Sequence, residues 1–89
     1  MITRHYIVTG KVQGVWYRNT TQQIAIDLGL TGWVKNLTDG SVEIVATGQS
    51  NRLNKFEAIL WQGPEASNVK DIDINEVDLD HFDDFRVIV

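Results

Sequence analysis

One stretch of the chain holds the residue types that bind a phosphate: Gly10-Lys11-Val12-Gln13-Gly14-Val15-Trp16-Tyr17-Arg18. Its two glycines allow a sharp turn. A turn of this kind, set between a strand and a helix, aims several backbone N–H groups at one point. The helix N-terminus adds more free N–H groups and a partial positive charge. Such a concave nest suits a tetrahedral anion. Arg18 brings a guanidinium, whose fork of donors fits two phosphate oxygens. The stretch is not a Walker loop, because three residues rather than four separate its glycines and Val15 follows the second. On pattern alone it reads as a structural turn with a surface arginine at least as readily as a phosphate cradle.

A second stretch runs from Gly32 to Glu43. Asn36 is a polar residue within an apolar strand and faces opposite to Trp33. A strand lying near the first loop brings its amide to the same anion, where it can orient a water. By itself Asn36 reads more readily as an exposed strand asparagine. Other groupings carry less. His5 and His81 are the only histidines, and no nucleophile-elbow pattern joins either to Ser41, Ser50 or Ser67. The run from Asp71 to Glu76 fails as a calcium loop, with Glu76 where glycine is needed and Phe82 where glutamate is needed. Trp16, Trp33 and Trp61 read as packing aromatics, with Trp16 able to shape a binding rim.

The elements that must hold these residues follow from periodicity. His5 to Val12 reads as a strand through Tyr6, Ile7, Val8 and Val12. Tyr17, Thr21, Ile24, Ala25 and Leu28 fall on one face of a helix that Gly29 ends. Thr31–Leu37 and Ser41–Thr47 flank Asp39-Gly40, a hairpin signal. A second helix starts near Ser50 or Asn51 with Leu53, Phe56, Ile59 and Leu60 as its buried stripe, and Gly63-Pro64 ends it. Val69 to Asp80 alternates again, with a parity switch at Asn75-Glu76 that predicts a bulge or break. Phe82 to Val89 reads as a last short strand. The order β-α-β-β-α-β with a short final strand predicts an α+β, ferredoxin-like fold: an antiparallel sheet with both helices on one face.

Composition narrows the class. The 89 residues form one domain, 1–89, with one core, since 43% are hydrophobic and 22% charged. No run is long and apolar enough to span a membrane, and the N-terminus lacks the apolar core of a secretory signal. Cysteine is absent, which removes thiolate chemistry and fits a cytoplasmic protein. The net charge of −4 disfavours a nucleic acid partner. The charge is uneven: residues 1–64 carry six bases and four acids, whereas residues 65–89 carry two bases and eight acids. A small anion is better received by the first part.

Together the two stretches resemble the signatures of the acylphosphatase family. Gly10, Val12, Gln13, Gly14, Val15, Tyr17 and Arg18 meet G-x-V-Q-G-V-x-[FY]-R, and Gly32 to Glu43 meet G-W-V-x-N-x-x-D-G-S-V-E. Leu28-Gly29-Leu30, Ala46-Thr47-Gly48 and Gly63-Pro64 extend the resemblance along the chain. The resemblance implies the ferredoxin-like fold and hydrolysis of the carboxyl–phosphate bond of small acyl phosphates, without a metal or other cofactor. It implies that Arg18 binds the phosphate with the loop backbone (Val12, Gln13, Gly14, Val15, Trp16, Tyr17) and that Asn36 holds the attacking water. Inorganic phosphate is then product and inhibitor, and the domain acts as a monomer. The alternative is a catalytically idle module of the same fold that binds an anion or a protein. The apolar C-terminus, Arg86-Val87-Ile88-Val89, is the poorest match.

Overall fold

The alternating and helical patterns resolve into seven elements in a computed structural model that describes residues 1–88; Val89, the end of the expected last strand, lies outside the described residues. They are β1 (Ile2–Lys11), α1 (Tyr17–Asp27), β2 (Thr31–Asn36), β3 (Val42–Gly48), α2 (Ser50–Gln62), β4 (Asn68–Val77) and β5 (Phe85–Ile88). The order matches the expected one. The strands form one sheet in the order β4-β1-β3-β2-β5. β1 pairs antiparallel with β3 and β4, and β2 antiparallel with β3. β5 adds a parallel pairing with β2, so the sheet of this α+β, ferredoxin-like fold is mixed at one edge.

Both helices cover the same face. α1 packs on β2 and β5, α2 on β3 and β4, and the helices touch each other. The sheet supplies Tyr6, Val8, Val34, Val42, Ile44 and Ala46 to the core, all with no exposed surface. Phe56 of α2 lies at the centre. Its ring meets Tyr6 edge-on at 5.8 Å and Phe85 at 6.3 Å between centroids. Truncating such a buried phenylalanine to alanine costs about 3–5 kcal/mol.

Tyr17, Thr21 and Ala25 form the buried face of α1, as the spacing predicts. The helix closes with Leu30 N–H on the Ala25 carbonyl and Gly29 N–H on the Ile26 carbonyl, the two bonds of a Schellman motif. On α2 the stripe is Leu53, Phe56 and Leu60. Ile59, expected within it, is exposed because a step of one residue turns it about 100° away from Leu60.

The strand bounds differ from expectation where the sheet edges decide them. β1 starts earlier, at Ile2, because β3 and β4 flank it on both sides. β4 runs through Asn75-Glu76 without a break. The register shift lies nearer its start: Thr9 pairs with Asp71 and Gly10 with Val69, so Lys70 of β4 is the extra residue opposite the Thr9–Gly10 step. Gly10 is needed there, since a Cβ would sit 2.1 Å from the Asn68 carbonyl oxygen. β4 stops at Val77 and β5 begins only at Phe85, because the chain between them must cross the end of the sheet. That crossing spans four inter-strand spacings, about 19 Å. Asp80 anchors it: its carbonyl accepts from Thr47 Oγ1 at 2.8 Å and its N–H donates to Thr3 Oγ1 at 2.9 Å.

Candidate functional site

The lengths of α1 and β2 bring the two sequence candidates together. From first to last residue, α1 rises about 15 Å. β2, which returns along it after a short turn, rises about 17 Å. The start of the helix and the end of the strand therefore come level. Asn36 is the last residue of β2 and shares the helix-covered face with Val34. Arg18 is in the first turn of α1. Both line a cavity of about 310 Å³, together with Val12, Gly14, Trp16, Tyr17 and Asn19.

The loop from Val12 to Trp16 is shaped by alternate burial. Val12 and Tyr17 are buried and Val15 packs partly against the core, so their side chains point inward. Tyr17 Oη donates to the Leu60 carbonyl at 2.8 Å and fixes the helix start against α2. Burial pushes this phenol well above its ordinary value, so it stays neutral and is no acid or base for the site. Gly14 and Trp16 have φ of +72° and +64°, the left-handed region. Glycine takes this conformation freely, but for tryptophan it costs about 1–2 kcal/mol.

The consequence is a run of free donors. Among the described residues, no turn, loop or cap hydrogen bond is donated by a backbone N–H from Gln13 to Asn19. The first intrahelical bond comes from Thr20 N–H to the Trp16 carbonyl, at 2.9 Å. Trp16 is thus the N-cap, and its side chain makes no cap hydrogen bond. These free amides lie beside the positive end of the helix, an arrangement suited to an anion.

Gln13 has a different part from the one its place in the loop suggests. Its Nε2 donates to the carbonyls of Leu37 and Ser41, each at 2.8 Å. The side chain ties the loop to the β2–β3 turn and leaves only its backbone N–H for an anion. The turn is tightened in its own right: Asp39 Oδ1 accepts from Ser41 N–H at 2.9 Å and from Ser41 Oγ at 2.5 Å. Those bonds hold the Asp39 carboxyl below its ordinary value.

Arg18 is half-buried, and its Nη1 lies 3.5 Å from the Ile88 carbonyl of β5. Among the described residues it is the only charged side chain lining the cavity. Asn36 Oδ1 is buried with no hydrogen-bond partner in the protein, the one such side-chain atom among the described residues. A buried acceptor without a partner is costly, and beside the cavity that Asn36 lines it is free to accept a hydrogen bond from a bound water.

Of the predicted site residues, Val12, Gly14, Trp16, Tyr17, Arg18 and Asn36 meet at this cavity, whereas Gln13 and Val15 do not line it. Asn19 and the Ile88 carbonyl were not anticipated. Asn19 carries a signal in hindsight of geometry alone: it follows Arg18 in the first helical turn, whose side chains ring the helix N-terminus.

A family model described as Acylphosphatase matches residues 4–87. An acylphosphatase of Xanthomonas oryzae pv. oryzae is 51% identical over 70 residues, covering 79% of this chain and 80% of that protein. An acylphosphatase of Marinobacter nauticus is 48% identical over 83 residues, covering 92% and 90%. Among solved structures, the crystal structure of acylphosphatase from Bacillus subtilis is similar with a TM-score of 0.97 and 39% identity, over 100% of both chains.

Proposed function

The chain belongs to the acylphosphatase family and hydrolyses acyl phosphates, and we propose that Arg18, Asn36 and the backbone from Val12 to Tyr17 perform this reaction without a metal. What supports the assignment is the convergence on one cavity of free amides, one guanidinium and one unpartnered carboxamide oxygen.

An acyl phosphate is a mixed anhydride whose leaving group is a carboxylate. That group departs with the bonding electron pair and needs no proton, so a general acid is dispensable. Phosphoryl transfer passes through a largely dissociative transition state, and the main tasks are to hold the phosphoryl group and align the nucleophile. The loop amides and the Arg18 fork stabilise charge on the equatorial oxygens. Asn36 Oδ1 accepts a hydrogen bond from the attacking water and aims its lone pair in line with the departing carboxylate. As the new P–O bond forms and the P–O bond to the acyl group breaks, the water proton passes to a phosphate oxygen. Carboxylate and inorganic phosphate leave, and phosphate competes with substrate for the same amides.

We further take residues 1–89 as one domain that works as a monomer in the cytoplasm. No helix among the described residues is long and apolar enough to cross a membrane. The test of the scheme is hydrolysis of benzoyl phosphate, followed by its ultraviolet absorbance, with and without EDTA. Turnover that survives chelation and is competitively inhibited by inorganic phosphate supports it. Turnover abolished by EDTA contradicts it.

A further inference from the structure

We propose that the Trp16 indole is the platform for the acyl group, making this enzyme selective for acyl phosphates with flat apolar acyl groups over short ones. The inference rests on the phosphate-cradle reading above and concerns the other half of the substrate.

Two independent features of Trp16 lead to it. The first is its backbone. It is the only described non-glycine residue with positive φ, at +64°. A glycine at this position would free the loop of that strain and still present its N–H to the cavity. Strained backbone of this kind persists at sites where it serves function. The second is exposure. The side chain is 75% exposed, although Val15 packs partly against the core and Tyr17 on its other side is buried. A bulky apolar side chain is therefore held out in solvent, at a conformation that disfavours any side chain.

The cavity explains where it is held. Trp16 lines it beside Arg18 and Asn36. The phosphoryl end of the substrate goes to the amides and the guanidinium, so the acyl end must project from that cradle toward the cavity lip. The other lining side chains that are not fully buried, Arg18, Asn19 and Asn36, are polar. The indole is the large apolar surface available to an acyl group. A planar, unsaturated acyl group stacks on it and removes apolar surface from water, whereas an acetyl group covers little of it.

The test compares kcat/KM for benzoyl phosphate and acetyl phosphate in the wild type, Trp16→Gly and Trp16→Phe. The readout is the ratio between the two substrates, which cancels any general loss from altering the loop. Trp16→Gly is expected to lower the benzoyl-to-acetyl ratio by about three- to tenfold, through KM for benzoyl phosphate, and Trp16→Phe to restore most of it. A ratio unchanged in Trp16→Gly overturns the proposal, as does a ratio that Trp16→Phe fails to restore. The phosphate-cradle reading is tested separately in the wild type, by competitive inhibition with inorganic phosphate. Loss of selectivity and loss of phosphate binding are thus distinct results.

Discussion

The side-chain amide of Gln13 bridges to Leu37, donating to its carbonyl at 2.8 Å. The same nitrogen donates to Ser41 at 2.8 Å, so the loop is clamped to the turn that follows Asn36. The proposed cradle and the proposed water-orienting amide of Asn36 come from distant parts of the chain, and this clamp links them.

Removing the clamp tests that idea. Gln13→Ala leaves each carbonyl one backbone partner, since Leu37 still accepts from Gly40 and Ser41 from Leu37. The expected loss of stability is therefore modest, about 1–2 kcal/mol. Gln13→Glu has nearly the same shape but turns a carboxylate toward two carbonyl oxygens. It is expected to be worse than alanine in both melting temperature and kcat/KM. Glutamate performing as well as glutamine would show that the two bonds do not position the loop.

In the proposed scheme Asn36 acts on the water rather than on the phosphoryl group. Asn36→Ala is expected to lower kcat by about 10²-fold while leaving KM nearly unchanged, because the lost contact belongs to the transition state. Steady-state kinetics with benzoyl phosphate separates the two constants. A rise in KM with kcat intact would assign Asn36 to substrate binding instead.

Tyr6 and Tyr17, both raised by burial, contribute to the alkaline limb of stability, and Tyr6 does so through a defined ion-pair network. Its hydroxyl donates to Glu57 Oε2 at 2.7 Å, and Glu57 also holds Arg4 Nη1 at 2.7 Å. Burial, and then the bond to Glu57, holds this phenol well above its ordinary value of 10.0. A group raised on folding adds stability that is fully present below its unfolded value and is lost as pH climbs past it. The unfolded chain gains by ionising near pH 10, where the folded chain still cannot. Tyr6→Phe is expected to melt below the wild type at neutral pH, and the gap is expected to narrow above pH 10. A gap that stays constant would remove Tyr6 from the account.

The fold was legible because its signals are local and agree with one another. Tyr17, Thr21 and Ala25 on α1 and Val42, Ile44 and Ala46 on β3 are buried as their periods require. Less legible features depend on partners distant in sequence. The regular pairing of β4 through Asn75-Glu76 and the bulge at Lys70, opposite the Thr9–Gly10 step, are decided by pairing across the β1–β4 edge, where Ile74 and Val77 bury too little to reveal their register. The end of β4 and the shortness of β5 follow from the crossing to the far edge, a property of sheet order that no local pattern encodes. In the site, the glycines and Arg18 advertised a cradle. The burial of Asn36 Oδ1 and the inward turn of Gln13 appear only once α1 and β2 are laid side by side.

The central claim is that one guanidinium and a ring of amides do most of the catalytic work, and Arg18→Ala tests it most directly. With a melting temperature confirming the fold, kcat/KM for benzoyl phosphate is expected to fall by at least ~10³-fold, about 4 kcal/mol of transition-state stabilisation. A folded Arg18→Ala protein that hydrolyses benzoyl phosphate within about tenfold of the wild-type rate, a barrier change of little more than 1 kcal/mol, would contradict it.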